Sequence, residues 1–238
     1  MSKLIYIYGF HSIESLLKTN PESILKVIIE TKRKDKRVND LIQELRSQKI
    51  AFSNTNKNDL DRIAKGESHQ GVISEVILPS LSNEESLYKS ISNNISKPII
   101  LILDSIQDPR NLGACLRSAN AAGVDYVVIN KDGSAPINAI VHKTSAGAIN
   151  SLKIFHVTNL SRTIQEIQKR GIWVIGLDSN SESTIYNVNL TDATAIVMGS
   201  EGKGIRRLIK ENCDQIVTIP MSGNIESLNV SVATGIAL

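Results

Sequence analysis

The chain has 238 residues, a mass of 26.0 kDa and a formal net charge of +3 at pH 7. Hydrophobic residues make up 41% and charged residues 21%, a balance that is typical of a globular protein and excludes a disordered chain. Aromatic residues are only 4%, too few for a protein that binds nucleic acid mainly by stacking bases on exposed rings.

The sequence lacks the marks of membrane insertion, secretion and metal binding. Its longest apolar run, residues 99–103, is much shorter than the roughly 18–20 residues that cross a bilayer. The N-terminus has no long apolar stretch followed by a small-residue cleavage site. Cys115 and Cys213 form neither a CxxC pair nor a cluster with histidine, which excludes a disulfide framework and a recognisable zinc site. We therefore expect a cytoplasmic protein without a metal.

The first third of the chain alternates between strand and helix patterns, which predicts a compact α/β domain at residues 1–78. This part carries the excess positive charge, with 13 basic against 10 acidic residues, whereas residues 79–238 carry 14 of each. Strands are predicted at residues 4–8, 25–30, 50–53 and 71–78, and helices at residues 11–19, 36–48 and 58–65.

The densest basic patch lies at residues 32–37. Five cations surround one acid there: Lys32, Arg33, Lys34, Lys36 and Arg37 surround Asp35. Such a cluster is typical of a surface that binds a polyanion. The alternative is a solvated loop and helix start that bind nothing.

Residues 79–97 are rich in Ser, Asn and Glu, and we interpret them as a linker with one or two helical turns. From residue 98 onward, continuous apolar strands alternate with helices, which predicts a mostly parallel sheet covered on both faces. The strands are predicted at residues 99–104, 126–130, 152–157, 172–177, 195–198 and 215–219, and the helices at residues 111–122, 138–146, 160–170, 204–212 and from 228 onward.

Three polar segments follow strands of this sheet, at the edge where open α/β sheets bind ligands. The first, residues 103–119, ends a strand and begins a helix, for which Asn111 is the predicted N-cap. A helix N-terminus attracts phosphate, and Arg110 and Arg117, seven residues apart, would share a face of that helix. The alternative is a capped amphipathic helix with solvated arginines.

The other two segments are loops rich in small residues. Residues 196–205 hold three glycines in six positions, so the backbone can approach a ligand closely, and Glu201 lies among them. Neither a dinucleotide-binding nor an NTP-binding glycine pattern is present. Residues 219–235 end a strand and begin an apolar helix that Ser227 or Asn229 could cap. A flexible turn and a capped loop without function are the alternatives.

Together the three segments resemble, in order and spacing, the signature motifs of the SpoU (TrmH-type) RNA ribose 2'-O-methyltransferases of the SPOUT superfamily. The matching residues are Asp108-Pro109-Arg110-Asn111-Leu112-Gly113 with Arg117, Met198-Gly199-Ser200-Glu201-Gly202, and Ile219-Pro220-Met221 through Ser227-Leu228-Asn229-Val230-Ser231-Val232-Ala233. Residues 4–78 resemble the small substrate-binding domain, similar to ribosomal protein L30e, that precedes the catalytic domain in many members. Its markers are Tyr8-Gly9-Phe10-His11-Ser12 and His69-Gln70-Gly71-Val72.

The resemblance implies an L30e-like RNA-binding domain at residues 1–78, a linker at residues 79–97, and an α/β methyltransferase domain with a deep trefoil knot at residues 98–238. It also implies S-adenosylmethionine as the methyl donor, RNA as a partner, and a homodimer. The implied cofactor-binding residues are Gly199, Ile219 and Leu228, and the implied catalytic residues are Asn111, Arg117, Glu201, Ser227 and Asn229. We expect RNA to contact Lys32, Arg33, Lys34, Lys36, Arg37 and Arg110.

The implied reaction is the attack of a ribose 2'-hydroxyl on the methyl group of a sulfonium, and the hydroxyl must lose its proton. No motif contains a histidine, and we expect structural or RNA-facing roles for the four that occur elsewhere: His11, His69, His142 and His156. The family assigns the base to Arg117, although the pKa of a guanidinium exceeds about 12. We therefore expect Arg117 to bind the neighbouring phosphate and to lower the pKa of the hydroxyl.

The other motif side chains would support Arg117. Asn111 would hold Arg117 or the ribose, and Glu201 would orient Arg117 through a carboxylate–guanidinium fork. Ser227 and Asn229 would position the ribose, the phosphate and the helix start. The implied substrate is a guanosine of 23S rRNA in the peptidyl-transferase region. A tRNA guanosine, an rRNA adenosine, and a non-catalytic RNA-binding role on the same fold are the alternatives.

Overall fold

The computed structural model describes residues 3–78, 82–93 and 96–238. The chain divides into two compact units. The first unit contains the described residues of Met1–Ser80 and of Ile137–Ser151, and the second contains those of Leu81–Pro136 and of Leu152–Leu238. Residues 79–81 and 94–95 of the predicted linker lie outside the described residues.

The described ranges contain ten strands and nine α-helices. The strands are β1 (Lys3–Tyr8), β2 (Ile24–Glu30), β3 (Phe52–Thr55), β4 (Val72–Leu78), β5 (Ile99–Asp104), β6 (Tyr126–Asn130), β7 (Lys153–Val157), β8 (Trp173–Leu177), β9 (Thr194–Gly199) and β10 (Gln215–Val217). The helices are α1 (Phe10–Thr19), α2 (Lys36–Ser47), α3 (Lys57–Ala64), α4 (Glu84–Ser92), α5 (Pro109–Ala121), α6 (Ala139–Thr144), α7 (Leu160–Gln168), α8 (Arg207–Glu211) and α9 (Val230–Ala237). None of these helices combines the length and the hydropathy that crossing a membrane requires.

The first unit contains a four-stranded mixed sheet in the order β1-β4-β2-β3. Strand β4 is antiparallel to β1 and β2, and β2 is parallel to β3. Successive residues of a strand point to opposite faces, so Val27 and Ile29 enter one core while Ile28 enters the other. Helices α1 and α2 contribute to the first core, and α3 contributes to the second.

The second unit contains a six-stranded sheet in the order β10-β8-β9-β5-β6-β7, and every neighbouring pair is parallel. The predicted parallel sheet is therefore confirmed. Four successive residues of β5, Ile100, Leu101, Ile102 and Leu103, are fully buried, because helices cover both faces. Since all strands run the same way, their carboxyl ends lie at one edge of the sheet.

Two segments pack differently from their predicted places. Helix α4 lies within the predicted linker, yet Leu87 and Ile91 are buried in the core of the second unit, because residues four apart share one helix face. Residues 137–151 group with the first unit, where the Ser15 hydroxyl donates to the Gly147 carbonyl at 3.2 Å.

Two predicted helices begin two or more residues later than expected, and backbone conformation explains both. Gly204 has a φ of 64°, outside the helical range, so the helix predicted at residues 204–212 begins only at Arg207. Asn229 caps the last helix, which therefore begins at Val230 rather than at residue 228.

Candidate active site

A cavity of about 200 Å³ opens at the carboxyl edge of the parallel sheet, beside the ends of β8, β9 and β10 and the start of α9. It is lined by residues 177–180, 198–204, 218–219, 221, 226–228, 230 and 233. The three predicted cofactor-binding residues, Gly199, Ile219 and Leu228, all line this cavity. The sheet thus brings the second and third motif segments together, although they are distant in sequence.

The loop at residues 199–204 folds back on itself and lines the cavity. Ser200 N donates to the Gly204 carbonyl at 3.1 Å, and Gly204 N donates to the Ser200 carbonyl at 2.9 Å. A Cβ on Gly199 would lie 2.1 Å from the Gly204 carbonyl carbon and 2.2 Å from Ile205 N, both backbone atoms. Only glycine fits at position 199 while the loop keeps this close approach.

The first motif segment begins α5, but the predicted cap was wrong. Asp108 is the N-cap and accepts a hydrogen bond from Arg110 N at 2.7 Å, with Pro109 at the first helical position. The fixed φ of proline favours that position, so the helix begins before Asn111. Asn111 instead lies in the first turn, where its Oδ1 accepts from Asn229 Nδ2 at 3.1 Å.

Asn229 links the three motif segments. Its Oδ1 caps α9 by accepting from Ser231 N at 2.9 Å, as the sequence predicts for one of two residues. Its Nδ2 donates to Asn111 on α5 and to Glu201 Oε1 in the glycine loop. One amide side chain therefore holds an acidic loop residue and two helix starts at the same corner of the cavity.

Arg117 does not form the predicted fork with Glu201. Cys115 faces α9, because its Sγ lies 3.4 Å from Thr234 Oγ1, whereas Arg117 lies two residues further along α5 and therefore about 160° away around the helix from that contact. Arg117 is exposed on the same face as Arg110, as their seven-residue spacing predicts, and Glu201 is held by Asn229 instead.

Sequence reasoning missed the loop after β8. Residues 178–180 line the cavity, and Asp178 is held by Lys210 Nζ at 3.1 Å and by Asn180 N at 2.9 Å. The available signal was a polar run after an apolar strand, but its relevance depends on β8 lying next to β9, an order that the sequence does not state.

The charged side chains that line the cavity are mostly acidic. Asp178, Glu201 and Glu226 contribute carboxylates, and Lys203 contributes an ammonium group. This charge balance favours a cationic ligand. The nearby Cys115 is buried, and burial raises the pKa of its thiol to about 11, so it is not a nucleophile at neutral pH.

The basic patch at residues 32–37 divides into two kinds of side chain. Arg33 and Arg37 both contact the Phe10 ring, with guanidinium carbons 4.8 and 4.7 Å from its centroid. Arg33 pairs with Asp35, and Arg37 pairs with Glu14 at 2.9 Å and thereby lowers the pKa of the Glu14 carboxyl. The remaining cations of the patch are exposed: Lys32, Lys34 and Lys36.

The histidines lie away from this cavity. His69 is buried, with Nε2 2.9 Å from Asp61 Oδ1 and with Nδ1 accepting from Gly71 N at 3.0 Å, which agrees with a structural role. His142 is also buried, His156 is half-buried and His11 is exposed.

Comparison with known proteins gives a match over nearly the whole chain. Residues 98–238 match the model of the SpoU rRNA Methylase family, and residues 6–80 match the model described as RNA 2'-O ribose methyltransferase substrate binding. A relative from Haemophilus ducreyi is 46% identical over 233 residues, covering 98% of this chain and 94% of its own. A relative from Escherichia coli K12 is 44% identical over 232 residues, covering 98% and 95%. Both relatives are named 23S rRNA (guanosine-2'-O-)-methyltransferase RlmB.

Solved structures share the fold. The SpoU methyltransferase AviRb from Streptomyces viridochromogenes, in complex with AdoMet, aligns with a TM-score of 0.80 at 19% identity, covering 98% of this chain and 87% of that one. A structure described as an RNA 2'-O ribose methyltransferase aligns with a TM-score of 0.80 at 23% identity, covering 98% and 86%.

Proposed function

The chain belongs to the SpoU rRNA methylase family, and from this premise we propose that it transfers the methyl group of S-adenosylmethionine to the 2'-oxygen of a guanosine ribose in 23S rRNA. Relatives that carry this activity in their names are 44–46% identical over 98% of the chain. We place the target in the peptidyl-transferase region and the reaction in the cytoplasm, where ribosomal RNA is found.

The observation that carries the proposal is an acidic cavity lined by the second and third motif segments, which Asn229 links to Asn111 of the first segment. S-adenosylmethionine supplies a methyl group already activated on a positively charged sulfur. The cavity fits such a ligand, because a glycine loop leaves space for close backbone approach and acidic side chains outnumber basic ones, even with Asp178 paired to Lys210. Gly199, Ile219 and Leu228 would hold the donor, largely through their backbone.

The residues of the chain contribute mainly by positioning the ribose, which can lower a barrier by roughly 7–11 kcal/mol. Arg117 is exposed on α5 and its guanidinium has no protein partner in the described ranges, so it is available for the phosphate beside the target ribose. Its charge would lower the pKa of the 2'-hydroxyl, a role that suits a group whose own pKa is above about 12. Asn111, Asn229 and Glu201 would fix the corner against which the ribose binds, and Ser227 would orient the ribose.

We assign RNA binding to residues 1–78 as an L30e-like domain, and donor binding and catalysis to residues 98–238 as a domain with a deep trefoil knot. Within the basic patch we expect Lys32, Lys34 and Lys36 to contact phosphates, with Arg110 as a further contact, while Arg33 and Arg37 shape the surface through their existing pairs. We also propose a homodimer, which is supported by two apolar side chains one turn apart on α9, Val232 at 51% and Ile236 at 42% exposure.

The test is methyl transfer from tritiated S-adenosylmethionine to total RNA of a deletion strain, with the methylated ribose mapped by sequencing. We expect one 23S rRNA guanosine to be labelled by the purified protein and to be unmethylated in the deletion strain. Arg117→Ala should abolish transfer, and Arg162→Ala, a change of an exposed arginine on α7, should preserve it. Label in tRNA or on an rRNA adenosine would show that the substrate is not a 23S rRNA guanosine. Binding of RNA without any methyl transfer would show that the protein is a non-catalytic RNA binder.

A further inference from the structure

We propose that Asp104 is a positioning residue that fixes the glycine loop, residues 199–204, through Arg206. The inference rests on the proposed function, in which this loop binds the methyl donor. Asp104 is the last residue of β5 and its side chain is fully buried, with 0% exposure. Its Oδ2 accepts a hydrogen bond from Arg206 N at 2.9 Å, and its Oδ1 accepts from Arg206 Nε at 2.7 Å. One carboxylate thus binds both the backbone and the side chain of one residue.

The two ends of the glycine loop are fixed to this same residue. Gly199, where the loop begins, is the sheet partner of Asp104 in the pairing of β9 with β5. Arg206, two residues after Gly204, returns to the Asp104 carboxylate. The loop is therefore held at its start by sheet pairing and at its end by an ion pair, and its shape depends on both.

The Asp104 carboxylate also reaches the first motif segment. Ser105 Oγ donates to Asp104 Oδ1 at 3.1 Å. Ser105 has a φ of 61°, a left-handed conformation that is strained for serine, and its N donates to Asn130 Oδ1 at 2.8 Å. The chain turns here toward α5, which carries Asn111 and Arg117. Asp104 thereby fixes the donor loop and the start of the ribose-positioning segment to one point.

Burying a carboxylate costs desolvation free energy, and well-packed apolar residues at such a position are often at least as stabilising. A buried Asp104 is therefore poorly explained by stability alone. Arg206 is 54% exposed, so its guanidinium remains hydrated after the carboxylate is neutralised. Asp104→Asn keeps the size of the side chain and one acceptor, removes the charge, and replaces the other acceptor with an NH2 donor that faces an N–H group of Arg206. The prediction is a loop that loses its fixed position in a protein that remains folded.

The experiment measures donor affinity by calorimetry, methyl transfer with separate KM values for donor and RNA, and hydrogen–deuterium exchange of residues 199–206 without donor. For Asp104→Asn and for Arg206→Gln, we expect a rise of at least tenfold in donor Kd and KM, an RNA KM within twofold of wild type, and faster exchange of the loop amides. Arg206→Lys should recover part of the donor affinity, and the double variant should lose no more than Asp104→Asn alone. The matched control is Arg207→Gln, which removes the neighbouring charge from a surface pair with Glu211 and should stay within twofold of wild type.

Wild-type donor affinity and wild-type loop exchange in folded Asp104→Asn would overturn the inference and leave the proposed function standing. Additive losses in the double variant would also overturn it, because the two residues would then act separately. Should Asp104→Asn fail to fold, Arg206→Gln decides alone, since the backbone bond to Asp104 remains in that variant. A wild-type protein that binds no S-adenosylmethionine would overturn both the proposed function and this inference.

Discussion

A single methyl group placed on Gly199 should disable donor binding. In Gly199→Ala the new Cβ would lie 2.1 Å from the Gly204 carbonyl carbon and 2.2 Å from Ile205 N. Carbon atoms pack at about 3.5–4.0 Å, so the loop must retreat by more than about 1 Å. The clash is with backbone rather than with the flexible end of a side chain, so no rotamer change relieves it. The displaced loop no longer lines the cavity in the same way. Donor binding must then move the loop back against the clash, and this cost weakens the affinity.

The expected magnitude follows from the cost of overpacking. Extra carbon in a tightly packed site costs roughly 1–3 kcal/mol, and a backbone clash belongs at the upper end of that range. A loss of about 2–3 kcal/mol corresponds to a rise of about 30- to 150-fold in donor Kd. Isothermal titration of S-adenosylmethionine into purified Gly199→Ala measures this directly, and urea unfolding checks that the protein is folded.

Two other glycines separate steric clash from backbone strain. A Cβ added at position 223 would meet no atom within 4 Å, and the φ of Gly223 lies outside the left-handed range. The donor Kd of Gly223→Ala should therefore equal that of wild type. Gly202→Ala also has open space but a φ of 75°, so it should lose about 1 kcal/mol of stability while its Kd changes by less than about threefold. A wild-type Kd in Gly199→Ala, or equal losses in all three variants, would refute the reasoning.

Three further predictions concern stability and RNA binding. Leu87→Ala should lower the free energy of unfolding by about 2–5 kcal/mol in urea titrations, because Leu87 is fully buried in the core of the second unit. His142 is buried without a hydrogen-bond partner for either ring nitrogen, and burial lowers its pKa to about 4 from 6.5. The unfolded state therefore binds more protons between these values, so stability falls as the pH drops below about 6.5. His142→Leu should remove about 2 kcal/mol of the loss between pH 7.5 and pH 5. Replacing Lys32, Lys34 and Lys36 with glutamine should weaken RNA binding and reduce the slope of log Kd against log salt by about 2–3.

Each of these predictions has a matched control. Leu208→Ala changes a side chain that is 61% exposed, and should alter stability by less than about 0.5 kcal/mol. His11→Leu changes a side chain that is 76% exposed, and is the control for His142→Leu. Replacement of three exposed lysines elsewhere, Lys18, Lys49 and Lys65, should leave the salt slope unchanged. Equal effects of variant and control in any pair contradict the corresponding argument.

Local patterns predicted most strands and helices, because continuous apolar runs such as residues 99–103 and the 3- and 4-residue spacing of Val38, Leu41 and Leu45 depend on neighbours in sequence. Residue type alone does not predict the cap of α5, because Asn111 is a good N-cap residue and the fixed φ of Pro109 moves the helix start to Asp108. Helix α4 resembles a linker in sequence because only a few apolar residues mark its buried face.

The parts of the site that depend on strand order were beyond the sequence. Asp178 lines the cavity because β8 lies beside β9, and Arg206 reaches Asp104 across 102 residues of chain. The motif residues themselves were found through the family resemblance. The bond from Asn229 to Glu201, which replaces the predicted fork with Arg117, depends on the packing of α5 against α9, which local sequence patterns do not predict.

The pairing of β5 with β9 has a consequence for how the chain is made. These central strands join Ile99 to Thr194, so nearly one hundred residues are translated between Ile99 and its partner in β9. At about 5–20 residues per second, that interval lasts on the order of 5–20 s. During this interval the apolar stretch from Ile100 to Leu103 lacks its sheet neighbour β9. Long-range parallel pairing of this kind also forms slowly. Nascent chains halted before residue 194 should therefore recruit chaperones through that stretch, and chains long enough for residue 199 to leave the ribosome should release them.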